Sequence, residues 1–494
     1  MAAISWYGRA LWSQDVAAET VVLKTPSGVL RGQAVEGVRI FKGVPFAQPP
    51  VGPLRFKPSV QFAPWSGERN ATQFAAAAMQ HGGPPHKSED CLYLNVWTPA
   101  GARDEGLPVL VWVHGGGFTG GESFAPVFDG AEFAKAGIVV VTVAYRLGVL
   151  GFLDVGPLLG HDYAGSANNG VSDVYSALLW VKQNIGAFGG DSKRVTLGGQ
   201  SAGAKMTGIL AGVPAAEGLF SAMISESGGA ERVWPLENAE TVARGFEKIW
   251  AQPAETLKTA DAAALIAVQQ SFVDSWPQHF PLRCEVDGKW LPRLPIKSIA
   301  TGSTKGKRLL IGTNLDESAA FLGPHPSHDP TAADLGNLPL GRFDAVFAQY
   351  AKIYPEMSAE QLRIRAVSAE EYWIPSVREA DAHVRGGGTA WMYRLDFAPA
   401  SGRMKGYAAH SEELDLVWDR MGTPIANEAA RATLTAQMHA AWVAFLKGDA
   451  PAAEGLPTWP KYGPETRSTM LLNAASRVAE RPAEQELRLW DGVL

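Results

Sequence analysis

Gly199-Gln200-Ser201-Ala202-Gly203 sets one serine between two glycines, behind the apolar run RVTLG and ahead of AKMTGILAG. The first run reads as a strand and the second as a helix, so the serine falls on a strand-to-helix turn. Such a turn strains the backbone at the serine and brings strand and helix so close that side chains at 199 and 203 would clash. The hydroxyl is then a candidate nucleophile, which needs a base, and a tetrahedral intermediate at it needs donors for its oxyanion. A donor source stands upstream, where His114-Gly115-Gly116-Gly117-Phe118 follows the strand-like PVLVWV. Successive glycines leave N–H groups unshielded and free to converge on a small anion. The spacing does not fit a nucleotide-binding loop, and no lysine follows.

The base is not legible from local spacing. Ten histidines are present, and Asp316, Glu317, Glu412 and Glu413 compete as its acidic partner. His325 and His328, with Asp329, invite a metal reading, but Pro324, Pro326 and Pro330 make that stretch an irregular loop with no second ligand cluster. A solvated loop is expected there.

The elements that must position these residues follow from periodicity. LYLNVW, PVLVWV, IVVVTVA, RVTLG and AMISES are short apolar runs with candidate helices between several of them, which predicts a buried, mostly parallel sheet. Residues 20–41 read as antiparallel strands around a Pro-Ser-Gly turn. Val174, Tyr175, Leu178, Leu179 and Ile185 share one face of a helix over about 172–185, where Asp173 stands at the position of a cap. RLLIGT near Arg308 and TAWMYRL near Thr389 predict further strands, and Asn427 to Leu446 a long helix. The expected organisation is an N-terminal tail over 1–19 and a single domain over 20–494, with helix-rich insertions above the sheet at about 236–385.

Composition narrows the function classes. The 494 residues are 46% hydrophobic and carry a formal charge of −6, with basic residues dispersed, which argues against nucleic acid as a partner. No apolar stretch is long enough for a membrane span. Two cysteines, Cys91 and Cys284, lack Cys-x-x-Cys partners and are expected as buried free thiols. Sparse cysteine and an N-terminus interrupted by Arg9 favour the cytoplasm, with secretion or a periplasmic location following if a signal peptide had been removed.

By these residues the chain resembles the type-B carboxylesterase and cholinesterase family of the α/β-hydrolase superfamily. FKGVPFAQPPVGPLRF, SEDCLYLNVW, HGGGF, VTVAYRLGVLGF, NNGVSDVYSALLWVKQNIGAFGGD and VTLGGQSAG are similar to family segments, in family order. The resemblance implies an α/β-hydrolase fold with helices on both faces of the sheet. It implies Ser201 as nucleophile, with backbone donors at Gly116, Gly117 and Ala202. IGTNLDESAAF then supplies Glu317 as the acid and AAHSEELDLVW supplies His410 as the base. Ser227 would play a supporting hydrogen-bond role near the triad. Trp234, Phe321 and Phe118 would line the substrate pocket, and no cofactor or metal is implied.

Departures from the family pattern bear on the substrate. The loop MQHGGPPHKSED has no Trp, and Ala320 stands where cholinesterases carry an aromatic residue, so choline esters are expected to be poor substrates. The same loop has no cysteine to pair with Cys91. Gln200 replaces a common Glu beside the nucleophile, and Ser318 a common Gly. The expected partner is a small-molecule ester of a short, medium or aryl acid. A related amide, carbamate or polyester bond is the alternative, and a non-catalytic binding protein a more distant one. Monomer is the default state, with a dimer also compatible.

Overall fold

The computed structural model describes residues 18–102, 105–419 and 428–494. The tail expected over 1–19 therefore lies almost entirely outside the described residues, and the first strand begins at its end. Thirteen strands form one sheet. In chain order they are β1 (Glu19–Thr25), β2 (Gly28–Val35), β3 (Val38–Pro45), β4 (Glu68–Asn70), β5 (Tyr93–Pro99), β6 (Leu107–Val113), β7 (Val139–Val143), β8 (Gly190–Gln200), β9 (Ala222–Glu226), β10 (Arg308–Asn314), β11 (Thr389–Leu395), β12 (Thr469–Leu472) and β13 (Arg477–Ala479). Across the sheet the order is β1-β2-β3-β5-β7-β6-β8-β9-β10-β11-β12-β13, with β4 beside β2.

From β1 to β7 each neighbouring pair in this order is antiparallel. From β7 through β6, β8, β9, β10 and β11 to β12 each is parallel, and β13 closes the edge antiparallel. Parallel strands need both faces covered, and the period-two pattern provides for it. In β6, Val109, Val111 and Val113 join the core on one face while Leu110 and Trp112 join the core on the other. Val139, Val141 and Val143 of β7 alternate with Val140 in the same way.

The helices that matter for the site are α1 (Asn169–Asn184), α2 (Ala202–Ala211), α3 (Leu236–Trp250), α4 (Ala262–Ser275), α5 (Ala359–Ser368), α6 (Ile374–Arg385) and α7 (Glu428–Lys447). On the first face α1 contributes Val174, Leu178 and Val181, and α2 contributes Met206, Ile209 and Leu210. On the second, α7 contributes Leu434, Met438, Trp442 and Phe445. The region 236–385 is only partly insertion. It contains β10, a central strand, and α6 packs on β10 and β11 as a crossover helix does.

One local expectation needs correction, and two strands add to the reading. Asp173 does not cap α1, which starts four residues earlier; its fully buried carboxylate takes two side-chain bonds from Arg146, at 2.8 and 2.7 Å, and a third from the Arg146 N–H at 3.0 Å. The C-terminal strands β12 and β13 were not visible in the sequence pattern, being three or four residues long. Cys91 and Cys284 are both buried free thiols.

Candidate active site

β8 runs to Gln200 and α2 begins at Ala202, leaving Ser201 alone on the turn at φ 57° and ψ −123°. Such a conformation costs a non-glycine residue about 1–3 kcal/mol, which the surrounding contacts must over-determine. They do so through backbone: the Ser201 N–H donates to the Glu226 carbonyl at 2.8 Å, extending the β8–β9 ladder one residue past the strand. The flanking glycines are forced by close approach. A Cβ at 199 would collide with the Gly203 backbone, and one at 203 with the Val113 carbonyl.

The loop after β6 backs onto this turn. A Cβ on Gly115 would lie 2.9 Å from the Gln200 carbonyl and 3.0 Å from Ser201 Cβ. None of the described hydrogen bonds uses the N–H of Gly116 or Gly117, while the Gly116 carbonyl accepts from Thr119 and Gly120 at 3.0 and 2.9 Å. Ala202, as the first residue of α2, has an N–H that precedes the helical ladder. Among the described hydrogen bonds these three N–H groups have no acceptor. His114 holds the loop from behind: its ring stacks on Tyr145 at 4.5 Å, and its carbonyl accepts from the Tyr145 hydroxyl at 2.9 Å. Burial lowers the His114 pKa to about 4, keeping it neutral.

His410 and Glu317 come together from distant segments. His410 Nδ1 and Glu317 Oε2 are 2.5 Å apart. The other carboxylate oxygen is taken, since Ser227 Oγ donates to Oε1 at 2.5 Å and the Asn314 N–H at 2.8 Å. That leaves Oε2 for the imidazole and fixes the proton on Nδ1, so Nε2 presents a lone pair. Gln200 Nε2 stands 3.3 Å from that Nε2 and donates to Ser411 Oγ at 3.0 Å. Asn314 Nδ2 donates to the Ala409 carbonyl at 2.6 Å, tying the end of β10 to the histidine loop. Behind them lies Glu413, its carboxyl raised to about 7 by burial and then by Glu317. Glu226 is pushed well up by burial and by Glu413, against the indole of Trp442 at 2.7 Å.

One side of the site is an aromatic wall. Tyr372 lies against His410 with ring centroids 4.7 Å apart, and Phe321 approaches the same ring at 5.2 Å. Phe321 is 46% exposed, so the wall opens to solvent at that edge. Phe280 sits over the donor loop, 2.7 Å from where a Gly117 Cβ would be. His279 stacks on Phe280 at 3.6 Å, and burial, then Arg232 and Arg283, lower its pKa to about 3. Behind the wall a buried charge cluster is packed. Lys205 and Arg232 both pair with Glu371, Arg232 lies 4.0 Å over Phe280, and Lys205 lies 5.0 Å from the Tyr372 ring centroid. Burial, and then Arg232, push the Lys205 pKa well down.

The structure brings Ser201, Glu317, His410, Gly116, Gly117, Ala202, Ser227 and Gln200 into one site. Phe118 is not part of its surface: at φ 63° its ring turns back into the core and stacks on Phe152 at 4.5 Å with no exposure. Trp234 is partly buried, donates to the Pro281 carbonyl at 2.8 Å and carries Arg283 on its face at 4.0 Å, beside the segment that presents Phe280. Phe280 and Tyr372 are the contacts that sequence reasoning missed. His325 is exposed and pairs with Glu360 at 3.1 Å. Among the described residues, no group of three or more His, Cys, Asp or Glu is placed to hold a metal ion, and no helix is long and apolar enough to cross a membrane.

Comparison with known proteins extends over almost the whole chain. The carboxylesterase family model matches residues 19–490. The para-nitrobenzyl esterase of Bacillus subtilis is 34% identical, covering 94% of this chain and 97% of its own. The fumonisin B1 esterase of Sphingopyxis macrogoltabida is also 34% identical, covering 90% and 86%. Among solved structures, a PNB esterase superposes with a TM-score of 0.85 at 32% identity, covering 95% of this chain and 99% of its own. A Geobacillus stearothermophilus carboxylesterase gives 0.85 at 33%, with the same coverage. With this fold and these relatives, the chain belongs to the carboxylesterase family, the type-B carboxylic ester hydrolases built on the α/β-hydrolase fold.

Proposed function

We propose that the chain is a serine esterase of short to medium or aryl carboxylic esters, working through an acyl-enzyme on Ser201. The observation that carries this reading is the strained Ser201 beside unpaired donors, with a His410–Glu317–Ser227 relay next to it. Ser201 Oγ attacks the ester carbonyl carbon and its proton passes to His410 Nε2. Glu317 holds Nδ1–H and stabilises the imidazolium. The carbonyl oxygen becomes an oxyanion held by the N–H groups of Gly116, Gly117 and Ala202, whose worth rises as charge develops. Collapse breaks the ester C–O bond, and His410 returns the proton to the departing alcohol. A water molecule then loses a proton to His410, attacks the acyl carbon and releases the acid with Ser201 restored.

The aromatic wall of Tyr372, Phe321 and Phe280 favours flat or compact acyl groups over long chains. The test is hydrolysis of p-nitrophenyl esters from acetate to decanoate, with a benzoate and a thiocholine ester, against Ser201→Ala. Turnover should be greatest for short and aryl esters, weak for the thiocholine ester, and lower by at least about 1,000-fold in the variant. No turnover above that of the variant with any ester would overturn the reading.

A further inference from the structure

The two glycine donors are aimed by the carbonyls behind them, because the N–H of a trans peptide points opposite to its C=O. The Gly115 carbonyl, which sets the Gly116 N–H, accepts from His114 Nδ1 at 2.8 Å. The Gly116 carbonyl, which sets the Gly117 N–H, accepts from the backbone of Thr119 and Gly120 at 3.0 and 2.9 Å. That second carbonyl is fixed only if residues 119–121 are, and one side chain holds their end. Gln80 Oε1 accepts the Gly121 N–H at 2.9 Å, while Gln80 Nε2 donates to the Gly121 carbonyl at 2.8 Å and to the Ala78 carbonyl at 3.1 Å. A primary amide carries both a donor and an acceptor in one plane without titrating, which is what a backbone N–H and C=O together require. The turn it holds is tight. A Cβ on Gly121, at φ 109°, would lie 2.4 Å from the Gly115 carbonyl oxygen and 2.5 Å from His114 Nδ1, and one on Gly116 would lie 2.0 Å from the Gly120 carbonyl oxygen. A shift of Gly121 therefore reaches both of the carbonyls that aim the donors. Gln80 is 4% exposed and is itself anchored away from Ser201. Ala77 and Ala78 pair with Lys87 and Ser88 in a short parallel ladder, and Lys87 Nζ donates to the carbonyls of Gln80 and Gly82 at 3.2 and 2.6 Å.

We propose that Gln80 is a positioning residue of the oxyanion site: its amide clamps Gly121 and, through the turn 116–121, holds the N–H groups of Gly116 and Gly117 on the oxygen of the reacting ester carbonyl. This rests on the serine esterase reading above and extends it from the groups that touch the oxyanion to the one that aims them. None of the described hydrogen bonds joins Gln80 to Ser201, Glu317 or His410, so its contribution passes through the backbone donors. Negative charge on the carbonyl oxygen develops in the transition states of both half-reactions, so the clamp acts on kcat and leaves the binding of the uncharged ester as it is. The N–H of Ala202, on α2, stands outside the clamped turn and keeps its place without it.

Steady-state hydrolysis of p-nitrophenyl acetate, paired with inhibition by an alkyl trifluoromethyl ketone, reads the clamp. Ser201 adds reversibly to such a ketone and leaves an oxyanion in the same site. Gln80→Ala should lower kcat roughly 10- to 100-fold, the scale of a donor displaced by about 1 Å or lost, with KM held within about threefold. The ketone should weaken by the factor seen in kcat/KM. Gln80→Glu separates aim from packing. Protonated, its carboxyl still offers Gly121 a donor and an acceptor; ionised, it sets a second acceptor against the Gly121 carbonyl. Its activity relative to the unmodified enzyme at the same pH should therefore be highest near about pH 5 and fall as pH rises to about 9, a trend that a fixed loss of packing does not give. An unchanged kcat in Gln80→Ala, a KM that rises while kcat holds, or a ketone bound as tightly as before would overturn the proposal and leave the esterase assignment intact. A Gln80→Glu ratio that does not vary with pH would overturn it equally, and decides alone if Gln80→Ala fails to fold. Neither hydrolysis nor ketone binding by the unmodified enzyme would instead remove the esterase reading and this one with it.

Discussion

The two sides of Ser201 are built in opposite ways. On the donor side, the turns after β6 and β8 place backbone groups, and glycines let those turns approach until no Cβ fits between them. On the wall side, side chains from β8–α2, the segment 230–285 and the turn between α5 and α6 meet around buried charges, with Lys205, Arg232, Glu370 and Glu371 all nearly inaccessible. The first side is specified by contiguous sequence and tolerates no added atom. The second is specified by pairing between distant segments and tolerates no unpaired charge.

Breaking the pairing should have the largest effect. Glu371→Ala leaves Lys205 and Arg232 without their shared carboxylate, and removing one partner of a buried ion pair typically costs about 3–5 kcal/mol. Chemical denaturation of the variant should show that loss; a cost below about 1 kcal/mol would mean Glu370 already neutralises both cations. Breaking the close approach comes next. Gly203→Ala pushes α2 off β6 and displaces Ser201, and a shift of about 1 Å at a reacting group costs on the order of 100-fold in kcat/KM. Activity should fall by that factor in enzyme that still melts cooperatively, and near-normal turnover would show that the turn can give way.

The smallest effect sharpens the comparison, because Glu413 is a wall-type charge placed behind the donor-type turn. Its folded-state pKa, raised to about 7, lies above the unfolded value, so folding takes up a proton between about pH 4.5 and 7 and stability falls as pH rises through that window. Glu413→Gln keeps an acceptor for Asn314 and removes the titration. The variant should gain roughly 1–3 kcal/mol at pH 8 relative to pH 5, seen as a flatter dependence of melting temperature on pH. Glu226, shifted the same way, keeps part of the slope in both proteins. An unchanged profile would place the titration on Glu226 alone.

The same division explains what could be read from sequence. All strands of the sheet except the short β4, β12 and β13, with α1, α2, α7 and both glycine motifs, were legible because each is a local pattern. His410 and Glu317 required the family resemblance, since 93 residues separate them and four acidic residues competed. Phe118 was misplaced because its neighbours in sequence are the glycines proposed as donors, whereas its positive φ sends the ring to Phe152. Asp173 read as a cap because its partner, Arg146, stands 27 residues upstream. Tyr372 and Phe280 carried no signal: one aromatic residue in a helix or a loop looks like core until the residues it faces are known.

The backbone bonds around Ser201 have a mechanical consequence. The N–H of Ser201 bonds to Glu226, that of Ser227 to Gly312, and that of Leu315 to Leu395, so three successive parallel ladders run on past their strand ends into the site. The strained turn is therefore not a loop resting on a scaffold. Opening it breaks a bond that continues the central ladder, so the amide of Ser201 is expected to exchange with those of the central strands. The strain at this serine then persists for as long as the fold does.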